Sequence, residues 1–206
     1  MNTKIFETVL YEEAKSAFQA IINDHGNDLY VLGIYHFGGW GGIMPMFNTR
    51  SALRDTQAQD HTPYFDDKKC FDLTVKWYPS DFIDFEDYSH YFSESDNELQ
   101  ALEPDDLTMD LEEISSCWDD TLRAMERVLI RLKKENFFAT MLGKNESPAL
   151  YLATTDEDNK DRLESFSRIN SEKIINHYKA DFEYLIETHE SWERGAFEEA
   201  INQRFE

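Results

Sequence analysis

The sequence lacks most of the features by which secreted and membrane proteins are recognised. Its 206 residues include only two cysteines, too few for a disulfide scaffold and typical of a protein from a reducing compartment. No apolar run approaches the roughly 20 residues that a membrane span requires. The first residues contain no apolar run of signal-peptide length. We therefore expect a cytoplasmic protein that does not insert into a membrane.

Local motifs of catalysis and metal binding are missing as well. The six histidines show neither His-x-x-x-His nor His-Glu-x-x-His spacing, so no local zinc site is predicted. There is no Gly-x-Ser-x-Gly elbow. Four glycines surround Trp40, but an apolar strand is predicted after them, whereas a phosphate-binding loop needs a following helix. The sequence predicts no cofactor and no metal, and it favours a binding protein over an enzyme.

Basic residues are missing from one long stretch, residues 77–122, which we call the acidic segment. It contains no Lys or Arg but 15 Asp and Glu, which account for 15 of the chain's net 22 negative charges. Eight aromatic residues lie in the same stretch, too many for a solvating tail. The chain has no concentrated basic patch, so it is not expected to bind nucleic acid or anionic lipid, whereas a basic protein would be attracted.

Three interpretations of the acidic segment are open: a solvated face, a partner-binding surface, and carboxylate catalysis or metal binding. The interleaved aromatics favour the second, because binding hot spots combine rigid aromatic anchors with charges that steer association. Asp110, Glu112 and Glu113 have a structural explanation at the start of a helix, whereas residues 81–106 have none. The predicted partner-binding residues are Trp77, Asp81, Phe82, Asp84, Glu86, Asp87, Glu94, Asp96, Glu98, Asp105 and Asp106.

Hydrophobic residues make up 41% of the chain, which predicts a single domain over residues 1–206. Apolar periodicity predicts an amphipathic helix over residues 5–22 and a hairpin of strands at 29–37 and 43–47, with Pro45 favouring an edge position for the second. A short helix capped by Asn48, Thr49 or Ser51 follows. Residues 71–77 alternate between apolar and polar and predict a half-buried strand.

In the second half, three-and-four spacing predicts the longest helix, from Thr108 to Leu132. A strand over 149–155, a short helix near 162–166, a helix over 174–186 and a final helix over 191–203 follow. This order predicts an α+β fold with a mostly antiparallel sheet, against which N-terminal, long central and C-terminal helices pack.

Four short segments are distinctive: residues 45–49 (PMFNT), 76–82 (KWYPSDF), 149–155 with Asp156 and Asp158 after them, and 168–170 (RIN). Together they resemble the mainly bacterial domain-of-unknown-function family 4303. It covers nearly the whole chain. The family carries no established activity, but its members are similar in size and acidity to the small immunity proteins that neutralise toxins delivered between bacteria. The resemblance implies an interaction protein.

These observations lead to two main hypotheses, beside a third possibility of a structural subunit that forms a stable oligomer without a partner. The first is a non-enzymatic cytoplasmic binding protein of the immunity type, which neutralises a basic partner such as a toxin through its acidic, aromatic-containing surface. The alternative is an enzyme or small-ligand-binding protein with a pocket between sheet and helices, using dispersed residues such as Trp77, His36 or Asp156. In that case the acidic segment is a solvated face.

Overall fold

The computed structural model describes residues 3–38, 41–59, 67–82, 86–102, 110–143, 148–155 and 158–204. Helices predominate, and 3-10 turns at Gly26–Asp28, Pro79–Asp81 and Glu86–Phe92 connect some of them. The strands are β1 (Leu29–His36), β2 (Ile43–Thr49) and β3 (Ala149–Thr154). The helices are α1 (Lys4–His25), α2 (Arg50–Gln57), α3 (Lys68–Trp77), α4 (Ser93–Gln100), α5 (Leu111–Lys134), α6 (Phe137–Leu142), α7 (Asn159–Ile169) and α8 (Glu172–Arg204).

The three strands form one sheet in the order β2-β1-β3. The predicted hairpin is confirmed: β1 pairs antiparallel with β2, and Pro45 lies on the edge strand, where its missing N–H is tolerated. β3 runs parallel to β1, so the fold is α+β and the sheet is mixed. A Cβ at Gly33 in β1 would overlap the backbone of Tyr151 in β3, so only glycine fits at this close approach.

The sheet is buried on both faces. Leu32 and Ile34 of β1 point into a cluster shared with α1, α4, α5 and α6. Val31 and Tyr151 lie in a second cluster, shared with α3, α7 and α8. Alternate residues of one strand enter different clusters because side chains in a strand alternate between its faces.

The predicted strand at 71–77 is wrong, because these residues belong to α3. Phe71, Leu73, Val75 and Trp77 are all buried, but in a helix they form two i,i+4 pairs, 71 with 75 and 73 with 77. The alternating pattern therefore comes from a helix that is buried on two sides. The Asp67 side chain caps this helix by accepting a hydrogen bond from the Lys69 N–H at 2.8 Å.

Two other boundaries also differ from the sequence-based expectation. The two helices predicted over 174–186 and 191–203 are one continuous helix, α8, of 33 residues. It is longer than α5, which has 24 and was expected to be the longest. Helix α5 begins at Leu111, three residues after the predicted start at Thr108. Its start is fixed by a capping box, in which the Asp110 carboxylate accepts from the Glu113 N–H and the Glu113 carboxylate accepts from the Asp110 N–H.

Candidate functional site

The residues predicted to bind a partner occupy several different environments. Asp87 and Glu94 are exposed, and Asp96 and Glu98 are half-buried. Trp77 and Phe82 are buried, with 0% and 9% of their surface exposed. Asp84, Asp105 and Asp106 lie outside the described residues, as do the side chains of Asp81 and Glu86.

Trp77 lies at the centre of an aromatic cluster. Its ring centroid is 4.8 Å from that of Phe182 and 5.0 Å from that of Tyr178. Its indole N–H donates a 3.0 Å hydrogen bond to Asp181 Oδ2, an oxygen that also accepts from Lys76 Nζ at 2.6 Å. A buried indole N–H needs such an acceptor, so the structure gives Trp77 a role in the core.

Asp96 has a structural role at the end of the hairpin. Its Oδ1 accepts a hydrogen bond from the Ile43 N–H at 2.7 Å, where β2 begins opposite His36. Burial raises the pKa of Asp96, and the neighbouring Glu13 carboxylate raises it further, although the bond from Ile43 acts in the opposite direction. The side chain therefore ties α4 to the sheet.

Glu13 of α1 holds the beginning of α4 in place. Its carboxylate accepts hydrogen bonds from the Glu94 N–H at 3.0 Å and the Ser95 N–H at 2.8 Å, and also from the Ser95 hydroxyl. A helix has unpaired N–H groups in its first turn that need acceptors. Here a different helix supplies the acceptor, which fixes the acidic residues of α4 relative to α1.

Several other acidic side chains of the acidic segment have no partner among the described residues. In the part of the chain that the structure describes, the carboxylates of Asp87, Glu94, Glu98, Glu112 and Asp119 form no ion pair and accept no hydrogen bond. Carboxylates elsewhere are paired, for example Glu7 with Arg127 at 2.8 Å and Asp181 with Lys76 at 2.6 Å. The acidic segment therefore carries charges that the fold does not use.

The carboxyl ends of the parallel strands β1 and β3 form a second candidate site. His36 ends β1 and is fully buried, and neither of its ring nitrogens has a hydrogen-bond partner among the described residues. Its ring centroid lies 4.4 Å from that of Trp118. Burial lowers the pKa of His36 to about 4, so the imidazole is neutral at physiological pH.

Beside Trp118 opens a cavity of about 370 Å³, lined by charged residues of α5 and α7. Glu126 is buried there and accepts from Arg168 Nη2 at 2.7 Å and from Arg123 Nη1 at 2.9 Å. Burial raises the pKa of Glu126, but the hydrogen bonds from Arg168 and Arg123 outweigh this effect, and the pKa lies below its usual value. The buried charge in this cavity is therefore matched by internal partners.

A larger cavity, of about 610 Å³, opens at the other end of the sheet, where Arg50, Lys133 and Lys173 line it. Sequence reasoning missed it. These side chains come from α2, α5 and α8, so no local sequence motif indicates the cavity. Only the three-dimensional arrangement brings them together.

Other types of site find little support in the described ranges. No three His, Cys, Asp or Glu side chains there converge in a way that would hold a metal ion. No helix in those ranges combines the length and apolarity needed to cross a membrane.

Comparison with known proteins identifies the family and goes no further. No curated protein and no solved structure matches the chain. One family model, described as "Domain of unknown function (DUF4303)", matches residues 10–171. This range contains all three strands and the whole acidic segment. The match confirms the resemblance seen in the short sequence segments, and the chain belongs to the DUF4303 family.

Proposed function

We propose that the protein is a cytoplasmic binding protein of the immunity type, which neutralises a basic partner protein, such as a toxin, through the acidic segment. The observation that carries the proposal is the set of exposed carboxylates in this segment without an internal ion pair. Unpaired surface charges of one sign raise the rate of association with an oppositely charged protein and restrict the orientation in which it docks.

The arrangement of the acidic elements supports the proposal. The 3-10 turn at Glu86–Phe92, helix α4 and helix α5 all pack against α1. Exposed acids on these elements include Asp87, Glu94, Glu112 and Asp119. Helix α1 therefore supports all three elements that carry these exposed carboxylates.

Aromatic contact would come from a different residue than the sequence predicts. Trp77 and Phe82 are buried, so their rings are not accessible to a partner protein. Phe37, which follows β1, keeps 43% of its surface exposed. It lies at the same end of the hairpin as Asp96, because its N–H bonds to the Gly42 oxygen at 3.0 Å and Gly42 adjoins the Asp96 carboxylate. Exposed aromatic side chains beside charges are typical of binding hot spots.

Charge reversal with a matched control tests the proposal. The variant Asp87→Lys, Glu94→Lys and Glu112→Lys is compared with Asp55→Lys, Glu172→Lys and Glu187→Lys, which changes three exposed acids elsewhere. Both variants change the net charge equally, and each contains one acid from the first turn of a helix. Affinity capture from the native cell, followed by association kinetics with the captured protein, measures the difference.

The wild type and the control should retain a basic protein that is released by raised salt. The acidic-segment variant should lose it, with an association rate at low salt reduced by roughly tenfold or more. Equal retention by both variants would refute the proposal. So would a captured protein whose association rate does not depend on salt.

The alternative of an enzyme or small-ligand-binding protein is favoured by the cavity beside Trp118. Open sheets with parallel strands commonly bind ligands at the carboxyl ends of those strands, and this cavity is lined by Leu152 and Thr154 of β3. A thermal-shift screen with metals, nucleotides and sugars tests it, since a ligand at about 100 times its Kd adds roughly 2.7 kcal/mol of stability. Absence of any shift would count against it.

A further inference from the structure

The 610 Å³ cavity lies at the end of the sheet opposite His36. Tyr30 of β1 and Ala149 of β3 form part of its wall, and these residues begin the two parallel strands. Helices α2, α5, α6 and the first turns of α8 surround it. Its volume is within the range of roughly 300–1,000 Å³ that is usual for small-molecule sites.

The charged residues of this cavity are cationic. Arg50, Lys133 and Lys173 line it, and no Asp or Glu occurs among its described lining residues. Acids outnumber Lys and Arg by 42 to 20 in the chain as a whole. A cation-lined cavity in such an acidic protein is therefore opposite in sign to its surroundings and would concentrate small anions.

Two of the cations are held in position by backbone oxygens. Arg50 Nη1 donates to the carbonyls of Asn27 and Leu29, each at 2.8 Å. Lys133 Nζ donates to the carbonyl of Ile169. Burial lowers the pKa of Lys133, and the charge of Lys134 lowers it further. Within the described residues neither Arg50 nor Lys133 forms an ion pair with a carboxylate, although the Arg50 charge lies near enough to the Asp28 carboxylate to help lower its pKa.

Lys133 is half-buried and forms no ion pair among the described residues, which is unfavourable for a cation, and a bound anion would relieve that cost. Arg50 is exposed and would add a second positive charge. The other walls of the cavity indicate what such an anion carries. Tyr30, Phe138 and Tyr178 line it, and Arg50 lies close enough to Tyr178 for its charge to act on the phenol. An aromatic or other apolar group would pack against these rings while its charged end meets the cations.

We propose that this cavity is a binding site for a small organic phosphate, with Arg50 and Lys133 contacting the phosphate and Tyr30, Phe138 and Tyr178 contacting the organic group. A phosphate monoester carries close to two negative charges at neutral pH and three acceptor oxygens. It therefore suits several separated cations better than a monocarboxylate does. The site is independent of the acidic segment, and a partner-binding function neither requires it nor excludes it.

Titration calorimetry with three probes tests the chemistry of the site. Adenosine 5′-monophosphate contains both a phosphate and an aromatic ring, whereas inorganic phosphate and adenosine each contain one of them. Adenosine 5′-monophosphate should bind with a Kd of about 1 mM or tighter and more tightly than either fragment. If it binds no more tightly than adenosine, the phosphate makes no contribution and the proposal is wrong.

Substitutions at adjacent positions locate the binding. Lys133→Met should weaken binding of adenosine 5′-monophosphate by about tenfold or more, whereas Lys134→Met should change it far less, because Lys134 does not line the cavity. Arg50→Gln and Arg54→Gln form a second pair of the same kind. Equal effects within both pairs would place the binding elsewhere and overturn the proposal.

Arg50 and Lys133 also bond to the backbone, so substitutions at these positions could weaken binding by impairing folding. A third pair of variants controls for this effect. Asn176 lines the cavity and is exposed, so Asn176→Glu should fold and should repel the phosphate. Gln19→Glu, at an exposed position on α1, makes the same charge change away from the cavity. Equal affinity of the two variants for adenosine 5′-monophosphate would contradict the proposed site. Circular dichroism checks that both variants are folded.

Discussion

The two ends of the sheet differ in how their charges are balanced. At the carboxyl ends of β1 and β3, the buried carboxylate of Glu126 is paired with Arg123 and Arg168. At the amino ends of the same strands, neither Arg50 nor Lys133 forms an ion pair with a carboxylate among the described residues. The first end pairs its buried carboxylate internally, and the second leaves two cations beside its cavity without an ion pair.

Net charge is therefore a poor guide to the chemistry of a particular site. A chain with a net charge of −22 contains a cavity of the opposite sign, and its acidic segment contributes Trp77 and Phe82 to the core. What separates functional from structural charge here is the presence or absence of an internal partner. Substitutions at Trp77, His36 and Glu126 test that distinction.

The largest effect is expected at Trp77, whose ring packs against Tyr30 and Tyr178 of the cation-lined cavity. Trp77→Ala should lower the free energy of unfolding by about 3–5 kcal/mol, because it leaves a large void and removes the donor to Asp181. Urea denaturation measures this. A loss below about 1 kcal/mol would mean that Trp77 is not a core residue and would return it to the predicted binding surface.

A smaller effect, which appears only at acidic pH, is expected from His36. Its pKa is about 4 in the folded protein and 6.5 in the reference state. Between these values the unfolded chain binds a proton that the folded chain does not bind. Stability is therefore fully present above about pH 6.5 and falls by up to roughly 3 kcal/mol as the pH drops to 4.

His36→Phe should remove this contribution while keeping a ring beside Trp118. The comparison between wild type and variant isolates His36 from the many carboxylates that also titrate in this range. Urea denaturation at several pH values between 4 and 7 provides the measurement. Parallel stability curves for the two proteins would show that His36 is not buried in its neutral form.

The smallest of these effects concerns the paired charges of the 370 Å³ cavity. Glu126→Gln should cost about 2 kcal/mol, less than for a fully buried pair, because Arg168 and Arg123 keep 37% and 48% of their side-chain surface exposed. Glu164→Gln is the matched control, since Glu164 also pairs with Arg168 but is 71% exposed. It should cost less than about 0.5 kcal/mol. If both variants lost the same free energy of unfolding, the buried carboxylate of Glu126 would stabilise the fold no more than the exposed carboxylate of Glu164.

Features encoded by neighbouring residues could be predicted from the sequence. The hairpin follows from two apolar runs around a glycine-rich turn, and the start of α5 follows from Asp110 with Glu113 three residues later. The short helix α2 begins after Thr49, one of the three predicted caps, whose side chain accepts from the Ala52 N–H. In each case the local chemistry and the tertiary fold favour the same structure.

Features that depend on distant residues could not be predicted. α3 resembles a strand because its two buried sides produce an alternating pattern. The parallel pairing of Val31 with Ala149 is not indicated by the sequence of either strand. The cation-lined cavity joins residues of three helices. The sequence of the acidic segment also does not indicate that the Asp96 carboxylate bonds to β2 while the Glu94 carboxylate has no partner among the described residues. Burial and pairing decide these roles, and both arise only when the chain is folded.

The position of β1 at the centre of the sheet has a consequence for synthesis and folding. Its hairpin partner β2 follows within a few residues, but its other neighbour, β3, begins only at Ala149. During translation one side of β1 therefore remains an open edge until more than half of the chain has emerged. Open edges of apolar strands recruit other chains, and contacts between distant residues form slowly. The risk of aggregation is therefore greatest in the interval before β3 pairs with β1.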